Sequence, residues 1–254
     1  MLGSGILHAT TFHKKLVTGT LICFLTTHVH AGVVLLYHHV DEKTPAITSI
    51  APDQFNRHLD IIEAEGFTVL PLDELVKRSM DVSRETEKND DKIVAITFDD
   101  AYRSIYSTAF PNLQARGWPF TIFVSTRLIE QKNPHYLTWA QLAEMSMHGA
   151  TIANHTDSHT HMIRRLDAES ADQWRDRMRG ELLTAKNLLV KHGLDSNFFA
   201  YPYGEYDEEI LNLVGDLGMI GFGQQSGAIG PYSNPLILPR YPLAGVYVGE
   251  AAFR

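Results

Sequence analysis

The chain has 254 residues, 44% of them hydrophobic and 20% charged, an ordinary composition for a globular protein of one or two domains. Its formal charge is −8, with no basic stripe and no block of like charge, which argues against nucleic acid or an anionic membrane as a partner. Long linkers, low-complexity segments and internal repeats are absent.

Residues 1–31 contain no acid, carry Lys14 and Lys15, and then run LVTGTLICFLTT before HVHA. A basic region, an apolar run of about a dozen residues and a small residue at the end form the pattern of a secretory signal. Cleavage is expected after Ala31, giving a mature chain of 32–254 that is periplasmic or extracellular. The apolar run falls short of the roughly 20 residues that a spanning helix needs, so no stable membrane span is expected after cleavage. Cys23, the single cysteine, lies inside this run, which leaves the mature chain without a disulfide.

Beyond the signal, short apolar runs alternate with longer helical patterns, as in repeated βα units. The predicted strands are VVLLY (33–37), FTVLPL (67–72), IVAITF (93–98), FTIFVS (120–125), ATIAN (150–154), FFAYP (198–202) and MIGFG (219–223). Several are apolar throughout, as expected where both faces of a parallel strand are covered. Between them, PDQFNRHLDIIEAEG places Phe55, Leu59 and Ile62 at helical spacing and stops at Gly66. AESADQWRDRMRGELLTAKNLLVKHG aligns Trp174, Met178, Leu182 and Leu189 on one core-facing stripe and ends at Gly193. Seven strands with interleaved helices make a barrel or a doubly wound sheet, and in both the functional groups gather beyond the C-terminal strand ends.

Polar groups of a particular kind stand at those ends. IVAITF is followed by Asp99 and Asp100, VVLLY by His38 and His39, ATIAN by HTDSHTH with His155, His159 and His161, and FFA by YPYGEYDEE. His155 and His159 are four apart, so a tight turn places both imidazoles on one side, and one added carboxylate completes a divalent-metal set with positions left open. His161, two residues further on, is expected at the rim. A bland reading remains beside this one: the double acid caps the helix suggested by DDAYRSIYSTAF, and the histidines belong to a polar loop. Capping accounts for one aspartate, but poorly for the pair together with the histidines.

At these residues the sequence resembles the polysaccharide deacetylase family, also called the NodB-homology domain or carbohydrate esterase family 4. TFDDAY (97–102), NHTDSH (154–159) and, in altered form, FAYPYGEY (199–206) are similar to its three first motifs, as are YHHV near the start and FTIFVS between the first two. The resemblance covers about residues 33–245. It implies an α/β fold, a distorted (β/α) barrel of about seven parallel strands, and hydrolytic deacetylation of an N-acetylated polysaccharide. By position, Asp99 resembles the general base, and Asp100, His155 and His159 resemble the ligands of Zn2+, with Co2+ or Ni2+ as alternatives. The Tyr203 backbone N–H resembles the oxyanion donor, Pro202 shapes that turn and contributes with it to substrate binding, and Thr156 resembles a residue that holds the ligand loop.

The sequence departs from the family pattern twice. Ala200 stands where an arginine usually orients the catalytic aspartate, a departure familiar among deacetylases of exported β-1,6-linked poly-N-acetylglucosamine, and Arg240 in LPRYPL is the candidate replacement cation. The late leucine–histidine motif, whose histidine commonly acts as general acid, is not recognisable before Arg254, and His38 is the candidate substitute on the substrate-binding side. A His beside Tyr37 also suits a purely structural hydrogen bond. Two other readings stay open: a glycosidase that pairs Asp99 or Asp100 with Glu205 and needs no metal, and a catalytically silent glycan-binding barrel.

Overall fold

Runs with apolar residues on both faces become the central strands. The computed structural model describes residues 31–84, 92–194 and 196–253; of the expected signal, 1–31, all but Ala31 lies outside them, Cys23 included. In chain order, β1 (Val33–Tyr37) leads into a short parallel pair, β2 (His39–Val40) with β3 (Ser49–Ile50), and then α1 (Pro52–Ala64). Next come β4 (Thr68–Val69), α2 (Leu72–Ser79), β5 (Ile93–Phe98), α3 (Phe110–Ala115), β6 (Phe120–Val124) and α4 (Thr126–Glu130). The second half adds α5 (Trp139–Met147), β7 (Ala150–Asn154), α6 (Ala171–Lys191), β8 (Phe198–Ala200) and α7 (Glu208–Asp216). It finishes with β9 (Ile220–Phe222), β10 (Tyr241–Pro242) and α8 (Glu250–Phe253).

The main sheet runs β10-β1-β5-β6-β7-β8-β9, all parallel, with β4 paired to the start of β5. The segment 238–243 closes the curl. Leu238 N–H donates to Gly221 O at 2.7 Å at the β9 side, while Tyr241 and Pro242 register with Leu35 and Leu36 of β1. The result is a distorted (β/α) barrel. Among the described residues no helix is long and apolar enough to cross a membrane.

Residues of the strands from β1 to β7 alternate between two apolar clusters, as a period of two requires, while Phe199 of β8 joins a third with Trp174, Met178 and Leu182 of α6. Leu35, Val94, Ile96, Ile122 and Ile152 join the cluster that holds Phe55, Leu59 and Ile62 of α1 and Leu142 of α5. Val34, Ala95, Phe123, Ala153, Phe222 and Leu238 form the other, inner cluster. The same parity carried past the apolar residues puts Thr97 and Asp99 in line with Ala95, His155 with Ala153, and Arg240 with Leu238. A polar centre is thereby aimed inward at the C-terminal ends of the strands.

Helix ends follow local chemistry. Gly66 (φ 74) and Gly193 (φ 71) take the left-handed position just past α1 and α6. Ser170 with Gln173 and Thr138 with Gln141 form capping boxes at α6 and α5. Trp174, Met178, Leu182 and Leu189 are buried, as the stripe predicts.

Three expected elements change length or type. The predicted strand 67–72 shrinks to Thr68–Val69, because Pro71 (φ −54) starts α2 at Leu72. The run 198–202 stops at Ala200, where Pro202 opens a 3-10 turn. After TFDD, helical backbone begins only beyond Tyr102 and widens into a π turn over Ile105–Ala109, with the Phe110 N–H bonded to Ile105 O. Pro111 has no N–H to give to the preceding turn, and the wider turn accommodates that loss.

Candidate active site

Asp100 (φ 70) and Ala101 (φ 60) both have left-handed backbone, so neither aspartate caps the helix that follows. The sharp reversal splits the pair. Asp99 is fully buried and meets Arg240 in a two-pronged contact: Nη1 to Oδ1 and Nη2 to Oδ2, both at 2.8 Å. The guanidinium is itself fully buried, donates from Nε to Gly223 O at 2.9 Å and from Nη1 to Thr97 Oγ1 at 3.3 Å, and lies 5.1 Å from the Phe123 ring centroid. Burial raises the Asp99 pKa, but Arg240 and then His155 outweigh it, and the net shift is downward.

Asp100 turns the other way, toward two imidazoles. Its Oδ1 lies 3.3 Å from His155 Nε2 and 3.0 Å from His159 Nε2, and the donor atoms of the three side chains all fall within 4.8 Å of one another. These contacts lack hydrogen-bond geometry, since Asp100 Oδ1 is buried without a hydrogen-bond partner. His155 Nδ1 sits 2.8 Å from Ala200 O. A carbonyl only accepts, so Nδ1 carries the proton and Nε2 presents its lone pair toward Asp100. Burial pushes the Asp100 carboxyl up, yet protonation of the facing His155 and His159 Nε2 atoms would hold it well below the usual carboxylate range. An orphaned carboxylate oxygen facing an imidazole lone pair is what a divalent cation satisfies, so these residues fit a metal.

The loop that carries the histidines is not helical. Thr156 (φ 65) and His159 (φ 56) are left-handed, Asn154 Oδ1 accepts from Thr156 N–H at 2.9 Å, and Thr156 Oγ1 accepts from His159 N–H at 3.0 Å. Thr156 thus holds the loop in place, as the motif implied. Pro202 is buried and begins the turn in which Tyr203 takes φ 60, ψ 4. The Tyr203 ring stacks on His161 at 3.9 Å and meets His159 edge-on at 4.5 Å. His161 stands at the rim, with Nδ1 2.9 Å from Glu205 Oε2. That pairing occupies the second carboxylate of the glycosidase reading. His38 is partly buried; burial lowers its pKa, against opposing pushes from Asp99 and Asp100.

Asp99, Asp100, His155, His159, Arg240 and Tyr203 therefore converge on one centre, with His38 within reach of both carboxylates electrostatically. The sequence reading missed a wall of stacked rings beside it. His39 stacks on Tyr102 at 3.5 Å, and Tyr102 on Tyr136 at 5.1 Å. Burial and then the Asp100 charge raise the Tyr102 hydroxyl above its ordinary pKa. No spacing signal pointed to Tyr136, because an isolated antiparallel bridge with Tyr102 brings it there. Ala200 was noted only for the arginine it lacks, whereas its carbonyl orients His155.

The family model for polysaccharide deacetylase matches residues 86–221, and the chain belongs to that family. Among curated proteins it is similar to YxkH of Bacillus subtilis (strain 168), with 28% identity over 196 residues that span 77% of this chain and 65% of that protein. It is also similar to the poly-beta-1,6-N-acetyl-D-glucosamine N-deacetylase of Staphylococcus aureus (strain MSSA476), 25% identical over 212 residues, 81% of this chain and 71% of that one. Among solved structures, the Streptococcus pyogenes deacetylase PplD in complex with acetate shares the fold, with a TM-score of 0.74, 24% identity, and coverage of 86% of this chain and 94% of that one.

Proposed function

We propose that the mature chain, from about Gly32, is an exported, divalent-metal-dependent N-deacetylase of an N-acetylated glycan, with poly-β-1,6-N-acetyl-D-glucosamine as the substrate. The observation that carries the reading is the split aspartate pair, Asp100 facing His155 and His159 while Asp99 is clamped by Arg240. The choice of substrate is supported by the name of the Staphylococcus aureus relative and by Ala200 in the third motif. Two imidazoles and one carboxylate suit Zn2+, with Co2+ or Ni2+ as alternatives.

The chemistry that a bound divalent ion supplies is polarisation of the acetyl carbonyl and acidification of water. Asp99 accepts the proton of the attacking water, and Arg240 keeps its carboxylate ionised and oriented. Pairing with Arg240 makes Asp99 a weak base, so it depends on that acidified water. The Tyr203 N–H, presented by the Pro202 turn, donates to the acetyl oxygen as negative charge develops there. The C–N bond breaks as a proton reaches the sugar nitrogen, from Asp99 or from His38 at the substrate side, and acetate and a free amine leave.

The test is acetate release from β-1,6-linked N-acetylglucosamine oligomers, matched β-1,4 chitin oligomers and peptidoglycan, before and after chelation and Zn2+ return. Chelator-sensitive release that favours the β-1,6 chain is expected. Chelator-resistant cleavage of glycosidic bonds, or sugar binding with no acetate at any metal concentration, would overturn the reading. Intact-mass measurement of exported protein should find a species that begins near Gly32.

A further inference from the structure

The ligand loop holds an unfavourable backbone. Thr156, a β-branched residue, and His159 both sit at left-handed φ, where side chains other than glycine are uncommon. Such conformations persist where the surroundings over-determine them. Here the surroundings are α4 and α6, and they are bonded to Asp157 and Ser158, two of the three residues between His155 and His159.

Asp157 is buried, and its carboxylate accepts from Thr126 Oγ1 at 2.8 Å, Arg127 Nε at 2.9 Å and Arg127 Nη2 at 2.6 Å. Ser158 donates its N–H to one Glu181 oxygen and its hydroxyl to the other, each at 2.8 Å. The main chain repeats the pattern: Arg127 N–H donates to Asp157 O at 2.8 Å, and Asp157 N–H to Glu181 O at 3.1 Å. Arg127 Nη2 lies 3.8 Å from Glu181 Oε1, so one guanidinium bridges both helices across the loop.

From this geometry we infer that Arg127 and Glu181 are positioning residues that act through Asp157 and Ser158. They fix the separation of the two imidazoles before an ion arrives. Neither touches the reacting centre, and neither lies in the HTDSH stretch. A loop ordered in advance spares metal binding the conformational entropy of ordering it. The inference rests on the metal reading of Asp100, His155 and His159, and the wild-type protein tests that reading separately.

The experiment is Zn2+ affinity of the mature protein by competition with a chromophoric chelator, read beside the melting temperature, for wild type, Arg127→Met, Arg127→Lys, Glu181→Ala and Glu181→Gln. Arg127→Met and Glu181→Ala are expected to weaken Zn2+ by about 10-fold, the low end of the cost of losing a group bonded to a ligand itself, because both act one residue further out. Glu181→Gln should stay near wild type, because its amide keeps an acceptor for the Ser158 N–H and a donor for the Ser158 hydroxyl. Arg127→Lys should fall between, since an ammonium cannot reproduce the two-pronged contact. Saturating Zn2+ should restore most of kcat. Unchanged Zn2+ affinity with a lowered melting temperature would make the network merely structural and sink the inference. Wild type that binds no divalent ion would sink the metal reading itself and the inference with it.

Discussion

Leu59 on α1 and Asp99 just beyond β5 are both fully buried, yet they belong to regions built on opposite principles. Around Leu59, Tyr37, Phe55, Ile62 and Phe98 form an apolar cluster, in which Tyr37 Oη lies 3.1 Å from His58 Nδ1. At the strand mouth, Asp99, Asp100, His155, Asp157 and Arg240 are all buried together. There the backbone is left-handed at Asp100, Ala101, Thr156, His159 and Tyr203. The body is stabilised by removing apolar surface from water, whereas the mouth spends stability on charge burial and backbone strain to aim its side chains. A fold of this kind carries an unfavourable centre only because the body beneath it is conventional.

The sharpest break in that contrast is the aspartate pair. Asp100→Asn, which keeps a side chain tolerant of positive φ, should lose both metal and activity because the single anionic ligand is gone. Asp99→Asn should keep the metal and lose kcat by about 10²–10⁴-fold, as expected for removal of a general base. Metal content by mass spectrometry beside acetate release separates the two. Metal lost from Asp99→Asn and kept by Asp100→Asn would reverse the roles.

Arg240→Met comes next. It leaves Asp99 buried with no cation, at a cost of about 3–5 kcal/mol measured by urea unfolding, together with a fall in kcat. Leu59→Ala should lose a similar 2–5 kcal/mol, but acetate release per folded molecule should hold. Equal behaviour of the two variants in kcat would erase the distinction between mouth and body.

The smallest effect lies at the surface. Hydrogen bonds from Arg177, the largest influence on it, hold the Glu169 carboxyl at about 2, below its ordinary 4.5. A depressed folded-state value means that this stabilisation is complete above pH 4.5 and is lost as pH falls toward 2. Arg177→Gln should therefore flatten the acid limb of the stability curve, with kcat at neutral pH unchanged. A fluorescence-monitored pH titration of both proteins checks it.

Much of this was legible in the chain because it is local. Period-two and period-3.6 patterns located the strands and helices, Gly66 and Gly193 marked helix ends, and the spacing of TFDD and HTDSH singled out Asp99, Asp100, His155 and His159. What failed locally failed for a reason: Pro71 and Pro202 ended runs that apolarity alone would extend, and Pro111 widened the helix after the first motif.

By itself, the sequence determined the βα alternation and the chemistry at the strand ends, since both depend on residues close in the chain. The sequence offered Arg240 as a candidate cation for Asp99, but only the tertiary structure decided that the two meet, because Arg240 lies 141 positions away and arrives through the segment that closes the barrel. The same holds for the Ala200 carbonyl that fixes the His155 tautomer and for the bridge from Arg127 to Asp157. Each of these contacts is made by strands and helices brought together by parallel sheet closure, and no spacing in the chain encodes where a closed sheet brings its ends.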